Sequence, residues 1–186
     1  MSLLLTMGAT HNYDRQEDDF YATSPEAAEH LMQLVQLDNN IWECACGSNH
    51  LANVFKDAGY NVRCSDIVDR CGNEVLDFLS DDVKEWHGDI VTNPPYKYAK
   101  QFVEKALSII PEGNKVAMFL RLQFLEGQRR REFFKQYPPK TVYVASKRIK
   151  CAKDGDFDKF RASAVPYAWF VWEKGYSGDT IVKWFN

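Results

Sequence analysis

The chain has 186 residues, of which 45% are apolar and 26% charged, so it is long enough for one domain with one sizeable core. The formal net charge of −3 argues against a strongly basic nucleic-acid coat and leaves room only for local basic patches. No stretch of the sequence approaches the roughly 18 consecutive apolar residues that a membrane span requires.

Helical and strand patterns alternate along most of the chain. The first helix is predicted to begin with Ser24 as its N-cap and Pro25 at its first position, and a short apolar strand follows at Ile41-Trp42. Further helices are predicted over residues 50–58, 97–110 and 127–137. Further strands are predicted over residues 61–65, 89–92, 115–120, 141–145, 168–173 and 180–185.

This alternation favours an α/β fold with a mostly parallel twisted sheet and helices on both faces. Only residues 174–179 separate the last two strands, which is too short a connection for a helical crossover. We therefore expect these two strands to pair as an antiparallel hairpin at the C-terminus.

The chain contains five cysteines, Cys44, Cys46, Cys64, Cys71 and Cys151. Their odd number and scattered positions do not fit a disulfide framework, and their spacing does not match a zinc site. Reduced, mostly buried thiols are typical of a cytoplasmic protein, which is the location that the sequence predicts, and no metal is expected.

Polar residues follow several of the predicted strands. Ligands in open α/β sheets bind beyond the carboxyl ends of the strands, so these positions are the candidate site. Glu43 and a turn containing Gly47 follow the first strand, and Asp66 follows the second with a carboxylate that suits a ribose diol. Asp77-Phe78 then offers an acceptor beside an aromatic ring, which suits an adenine. Each feature alone also fits a turn, a helix cap or a solvated loop.

The segment Asp89-Ile-Val-Thr-Asn93-Pro94-Pro95-Tyr96 is more specific. Its two prolines fix the backbone and remove two N–H donors, which leaves carbonyl groups as acceptors. Asn93 adds a side-chain acceptor, and Tyr96 adds a flat surface for stacking. The combination is typical of a site that accepts hydrogen bonds from an NH2 group on a planar molecule.

These motifs resemble those of class I S-adenosylmethionine (SAM)-dependent methyltransferases, and in particular the small phage-type DNA adenine-N6 enzymes with an Asn-Pro-Pro-Tyr motif. The polar character of the N-terminal region predicts a mobile segment over residues 1–16. The resemblance implies one Rossmann-like methyltransferase domain over residues 17–186. The catalytic residues that it implies are Asn93, Pro94, Pro95 and Tyr96. The SAM-binding residues that it implies are Tyr21, Thr23, Glu43, Ala45, Gly47, Asp66, Ile67, Asp77, Phe78 and Asn93.

The chain departs from the family pattern at two positions. Cys44 stands where proline is usual, and Asn49 stands where a second glycine is expected. Because Asn is the non-glycine residue best able to adopt a left-handed backbone, SAM binding at this loop is still expected. The motif order resembles the γ arrangement without its target recognition domain, which leaves a separate specificity subunit open as a partner.

The resemblance implies DNA as the partner and a flipped adenine as the target. Asn93 and the Pro94 carbonyl are expected to accept the two N–H bonds of the adenine amine, and Tyr96 is expected to stack on the base. Phosphate contacts are predicted for a basic stretch beyond a strand's carboxyl end, formed by Lys147, Arg148, Lys150 and Lys153. The run Arg129-Arg130-Arg131 lies within a helix, so its side chains point in different directions.

The substrate remains open on the motif alone, because other planar NH2 groups fit the same acceptors. An rRNA base and a glutamine side chain of a protein are the alternative substrates. A SAM-binding or partner module without turnover is the alternative of another class, and the intact motif from Asn93 to Tyr96 argues against it.

Overall fold

Ten strands form within the residues that the computed structural model describes, which are residues 21–153, 157 and 165–186. They are β1 (Tyr21–Thr23), β2 (Asn40–Glu43), β3 (Asn61–Asp66), β4 (Glu74–Val75), β5 (Asp89–Thr92), β6 (Lys115–Arg121), β7 (Thr141–Ala145), β8 (Cys151–Lys153), β9 (Tyr167–Glu173) and β10 (Ile181–Phe185). The helices in the same residues are α1 (Glu26–Leu34), α2 (His50–Asp57), α3 (Ala99–Ile109) and α4 (Gln128–Gln136). Short 3-10 turns cover Tyr96–Tyr98 and Leu122–Leu125. The predicted mobile segment over residues 1–16 lies outside the described residues.

Every predicted helix and strand is present, with ends within two residues of the prediction. The predicted N-cap of the first helix differs by one residue, because the helix begins at Glu26 with Pro25 as its N-cap rather than Ser24. The N–H group of Ser24 is bonded to the carbonyl of Lys150 at 3.0 Å, which holds this residue outside the helix. The strands β1, β4 and β8 were not predicted.

The central sheet has the strand order β10-β7-β9-β6-β5-β2-β3-β4. Neighbouring strands are parallel except that β9 is antiparallel to both β6 and β7. Strands β1 and β8 form a separate antiparallel ribbon, in which Thr23 lies opposite Cys151. The prediction of an α/β fold with a mostly parallel sheet is confirmed.

The predicted pairing of the last two strands is wrong. β9 lies between β6 and β7, so both of its hydrogen-bonding edges are occupied, and β10 pairs with β7 instead. β10 does run opposite to β9, because it is parallel to β7. The short connection steps across one strand, since residues 174–180 reach farther than the roughly 10 Å that two strand spacings require.

Helices cover both faces of the sheet, as predicted, because successive strand residues point to opposite sides. Trp42 packs on the face that buries α3 and α4, in the same core as Phe102 and Phe133. Ile41, the residue before it, packs on the other face with Leu31 of α1 and Phe55 of α2. The two cores hold the strands firmly, so the residues at their carboxyl ends occupy fixed positions.

A buried carboxylate joins three strands at the amino edge of the sheet. Asp89 is fully buried at the start of β5. Its Oδ2 accepts the N–H of Asp38 at 2.8 Å, and its Oδ1 accepts the N–H of Lys115 at 2.7 Å and the amide of Asn114 at 3.1 Å. Hydrogen bonds to a charged acceptor are stronger than neutral ones, so this carboxylate anchors β5 between β2 and β6.

We expect Asp89→Asn to destabilise the protein by about 3 kcal/mol, because an NH2 group would face an N–H donor. For a chain of this size, that loss corresponds to a fall in Tm of roughly 6–12 °C. Thermal unfolding followed by tryptophan fluorescence measures the change. The control is Asp81→Asn at an exposed position, where the change is expected to stay within about 0.5 kcal/mol. An equal Tm for the two variants would contradict the anchoring role.

Candidate active site

A cavity of about 480 Å³ opens beyond the carboxyl ends of β2, β3 and β5. This volume lies in the range of small-molecule sites. The predicted SAM-binding residues in its wall are Thr23, Glu43, Ala45, Asp66, Ile67, Asp77, Phe78 and Asn93. All four predicted catalytic residues, from Asn93 to Tyr96, also belong to the wall. The structure therefore gathers predicted residues that are up to 73 positions apart in the sequence into one cavity.

The turn between β2 and α2 is held against the end of β3. Gly47 has φ 50°, and its N–H donates to Oδ2 of Asp66 at 2.8 Å. Asn49 has φ 64°, which is the left-handed conformation expected of a residue in place of glycine. Its amide exchanges two hydrogen bonds with the amide of Asn73, at 3.2 and 3.1 Å. These bonds fix the turn that forms one side of the cavity, although Gly47 itself does not line it.

Asp66 ends β3 with a carboxylate that is oriented by several donors. Oδ1 accepts the N–H of Val68 at 3.1 Å and a guanidinium N–H of Arg70 at 3.2 Å, and Oδ2 accepts Gly47. A carboxylate oxygen has two lone pairs, so Oδ2 keeps the capacity for a further donor such as a ribose hydroxyl.

Glu43 is a buried carboxylate in the cavity wall. It accepts an N–H bond from Ala52 in the first turn of α2, whereas Oε2 is buried without a partner among the described residues. Burial raises the pKa of this carboxyl well above its usual value, and the negative charges of Cys64 and Asp66 raise it further. A hydrogen bond from Cys46 lowers the pKa of the Cys64 thiol. A cationic donor in the cavity would satisfy Glu43.

Asp77 and Phe78, the pair predicted to bind adenine, differ in their exposure to solvent. Asp77 is exposed, and its Oδ1 accepts the N–H of Leu79 at 2.9 Å. Phe78 reaches the cavity but is only 2% exposed, with its ring edge-to-face on Trp42 at 5.2 Å. Ile67 is 63% exposed at the cavity and offers the more open apolar surface.

Asn93 is oriented by a residue 70 positions earlier. Its Nδ2 donates to Oγ1 of Thr23 at 2.8 Å, so the amide presents Oδ1 as its acceptor. The β1–β8 ribbon holds Thr23 in place, and the hydroxyl is only slightly exposed. The resemblance implied a SAM contact for Thr23, but this contact with Asn93 was not predicted. The side chain of Tyr21 lies outside the described parts of the structure.

The ring of Tyr96 packs into the protein rather than standing free in the cavity. The guanidinium of Arg121 lies 4.5 Å from the ring centroid, and the ring of Tyr167 lies 6.0 Å away. The hydroxyl is buried close to Tyr167 and Cys151. Burial raises the pKa of Tyr96 well above its usual value, and Cys151 and Tyr167 add to the effect.

The predicted phosphate contacts lie beside the cavity rather than in its wall. Lys147 and Arg148 are exposed just beyond the carboxyl end of β7, and Lys150 donates to the carbonyl of Phe157 at 3.2 Å. Lys153 pairs through its backbone with Tyr21 in the β1–β8 ribbon, and its side chain is not described. Arg130 caps the 3-10 turn before α4 through three carbonyl contacts, which gives it a structural role.

Four polar residues of the cavity wall were not predicted from the sequence, namely His50, Arg70, Lys97 and Tyr98. His50 begins α2 directly after the turn that contains Gly47 and Asn49, and burial lowers its pKa. Lys97 and Tyr98 directly follow the Asn93–Tyr96 motif. The sequence assigned them to the start of a helix, and helical periodicity does not indicate which residues face a cavity.

No protein-family model and no curated protein sequence matches the chain. Several solved structures match its fold. A candidate RNA methyltransferase from Pyrococcus horikoshii has a TM-score of 0.60 at 14% identity, over 84% of this chain and 87% of that protein. A candidate class I SAM-dependent methyltransferase from Listeria monocytogenes has a TM-score of 0.59 at 12% identity, over 86% of this chain. The match spans 63% of the Listeria protein.

A third structural match is the type IIG restriction endonuclease BpuSI. It has a TM-score of 0.52 at 16% identity, over 82% of this chain and 24% of the endonuclease. At these identities the matches establish the fold, which is the Rossmann-like fold of class I SAM-dependent methyltransferases. Among the described residues, no helix has the length and apolar character to cross a membrane.

We expect Glu43→Gln to stabilise the ligand-free protein progressively as the pH rises. The pKa of Glu43 is raised in the folded state, so its stabilising effect is complete below the unfolded value of about 4.3 and is lost above it. Gln does not titrate and avoids this loss. Tm measured from pH 5 to pH 8 should therefore show a growing difference in favour of the variant.

The control is a variant whose Tm is expected to change with pH in the opposite direction. Arg63 holds the pKa of the exposed Glu74 carboxyl below its usual value, so Glu74 stabilises the protein only above its unfolded pKa. Glu74→Gln should therefore lower Tm slightly at neutral pH and not at acid pH, with a small effect because the pair is exposed. A Glu43→Gln difference that is constant with pH would contradict the raised pKa.

Proposed function

We propose that the protein is a SAM-dependent N-methyltransferase that methylates the exocyclic N6 amine of adenine in DNA. The observation that carries this proposal is the position of Asn93. It follows β5 directly, its amide is oriented by Thr23, and it shares one cavity with Glu43 and Asp66. An oriented amide acceptor beside two carboxylates fits an amine substrate next to a cationic nucleoside cofactor.

The cavity wall fits SAM in three respects. Oε2 of Glu43 is buried without a partner among the described residues, which suits a ligand ammonium group. Asp66 has capacity for a ribose hydroxyl, and the exposed side chain of Ile67 suits the face of an adenine ring. When bound, SAM supplies an electrophilic methyl group on its sulfonium.

The catalytic segment presents acceptors to the substrate amine. The Pro95 carbonyl accepts the N–H of Tyr98 at 2.8 Å. We assign the substrate contact to the Pro94 carbonyl, as the resemblance of the motif implies. Asn93 Oδ1 and the Pro94 carbonyl accept the two amine N–H bonds, which localises the nitrogen lone pair for attack on the methyl carbon. The nitrogen would form the new N–C bond while the bond between the methyl carbon and the sulfonium sulfur breaks, which leaves S-adenosylhomocysteine as a neutral thioether. The nitrogen would then release a proton to solvent, so a strong base is unnecessary. Alignment of this kind contributes about 7–11 kcal/mol in well-oriented reactions.

Nucleic acid is the substrate class that several observations support together. The matches to a candidate RNA methyltransferase and to a restriction endonuclease favour it, and so does the exposed Lys147-Arg148 pair next to the β1–β8 ribbon. The Asn-Pro-Pro-Tyr motif alone fits both nucleic acids, and DNA is chosen over RNA on the wider resemblance of the chain to the DNA adenine-N6 branch. The Pyrococcus match makes an RNA base the second candidate substrate.

The deciding experiment supplies SAM with a deuterated methyl group to the protein and three acceptors. These are unmethylated genomic DNA, unmodified total RNA and a protein lysate, each digested afterwards and analysed by mass spectrometry. Labelled N6-methyladenine in the DNA supports the proposal. If the label appears only in RNA or only in glutamine, the substrate is RNA or protein rather than DNA. If SAM binds but no labelled product forms, the protein is a SAM-binding module rather than an enzyme.

Asn93→Ala should reduce methyl transfer by about 10²–10³-fold, the usual effect of removing one preorganised hydrogen bond to a reacting group. SAM affinity, measured by calorimetry, should change much less, because the proposed role of Asn93 is mainly toward the substrate amine. Transfer at the wild-type rate would refute the mechanism.

Thr23→Val should lower kcat about tenfold, since it removes one hydrogen bond of roughly 1–1.5 kcal/mol that orients Asn93. Thr23→Ser keeps the hydroxyl and should retain most of the activity. Calorimetry separates this positioning role from a direct SAM contact. A loss of SAM affinity that accounts for the whole loss of activity would assign Thr23 to the cofactor instead.

A further inference from the structure

The two tyrosines of the 3-10 turn after Pro95 have different surroundings. Tyr96 turns inward, with a buried hydroxyl and with Arg121 over its ring. Tyr98 is 40% exposed and lines the cavity. A cation lies over one face of each ring, Arg121 over Tyr96 and Lys97 over Tyr98. Tyr98 is exposed whereas Tyr96 is only partly so, and Tyr98 therefore offers the more accessible aromatic surface at this end of the cavity.

The backbone holds Tyr98 in a defined place. Its N–H donates to the Pro95 carbonyl at 2.8 Å, and the next residue, Ala99, begins α3 and is almost fully buried. A rigid backbone lowers the entropy that the ring loses on contact with a ligand. The position is therefore suited to binding a flat group.

A cation accompanies this ring. The ammonium of Lys97 lies 4.6 Å from the centroid of Tyr98, and both residues are exposed and line the cavity. An aromatic face next to a positive charge matches a nucleobase next to its phosphate, which is the combination that single-stranded nucleic-acid sites use. A flipped-out nucleotide presents the same two groups.

We propose that a nucleobase of the substrate stacks on Tyr98 while Lys97 contacts an adjacent phosphate, and that Tyr96 forms a fixed wall of the cavity. This inference rests on the proposed function and specifies how the same site holds its substrate. It assigns base stacking to a residue that lies two positions beyond the tyrosine of the motif.

The test compares Tyr98→Leu, which removes the ring, with Tyr98→Phe, which keeps it. The probe is a DNA duplex that wild type methylates, with 2-aminopurine in place of the adenine found to be methylated. Its binding is measured by fluorescence anisotropy in the presence of S-adenosylhomocysteine. We expect Tyr98→Leu to weaken binding about tenfold, within the range reported for loss of one base stack, and Tyr98→Phe to bind like wild type. Calorimetric SAM affinity should be equal in all three proteins.

Two further variants complete the design. Lys97→Gln should reduce the slope of log Kd against log salt by about one, as expected for the loss of one phosphate contact. Tyr176→Leu is the matched control, because Tyr176 also lies under a lysine ammonium, Lys140, at 5.5 Å but follows the other end of β9, away from the cavity. It should leave DNA binding unchanged.

The outcomes separate this inference from the proposed function. If wild type methylates DNA and Tyr98→Leu binds the duplex within twofold of wild type, the stacking role is wrong and the enzyme assignment stands. If wild type methylates RNA instead, the same variants are measured on RNA and test the same stacking role. If wild type binds no nucleic acid, both the proposed substrate and the role of Tyr98 fall.

Discussion

The buried carboxylate of Asp89 is the constraint on which the rest of the site depends. It joins the amino ends of β5 and β6 to the residues that enter β2. β5 has only four residues, so Asn93 follows about 13 Å beyond this anchor. A shift of β5 by one residue would turn its side chains to the opposite faces and would carry Asn93 away from Thr23. The hydrogen bonds at the amino edge of the sheet therefore fix the position of Asn93 at the carboxyl edge, where the candidate site lies.

Local patterns in the sequence predicted the elements well, because the strands and helices bury faces with clear periods. Ile41 and Trp42 illustrate this, since each packs into a different core. The order of the strands in the sheet was harder to predict. The short connection after β9 correctly required β10 to run in the opposite direction, but only the whole sheet determines that β7 lies between them. The β1–β8 ribbon has three residues per strand and no periodic signal at all.

The residues of the candidate site also fall into a group that the sequence predicts and a group that it does not. Residues at strand ends, such as Asp66 and Asn93, could be predicted because the topology of parallel sheets brings those ends together. The left-handed conformation of Asn49 could also be predicted, since it follows from the side chain alone. Contacts between distant side chains could not. The bond from Asn93 to Thr23 and the inward turn of Tyr96 depend on how the β1–β8 ribbon packs, and no local pattern encodes that.

The electrostatics of the cavity connect stability with the proposed chemistry. Glu43 is buried beside the negative charges of Cys64 and Asp66, so ionisation of Glu43 is unfavourable while the cavity holds no cation. A ligand that binds only the folded state stabilises it, and a cationic ligand gains additionally by relieving this repulsion. Under the proposed function, the cofactor carries a sulfonium charge that its product lacks. The Glu43 carboxyl that destabilises the empty protein would then favour SAM over the spent cofactor through this additional charge, which promotes exchange between turnovers.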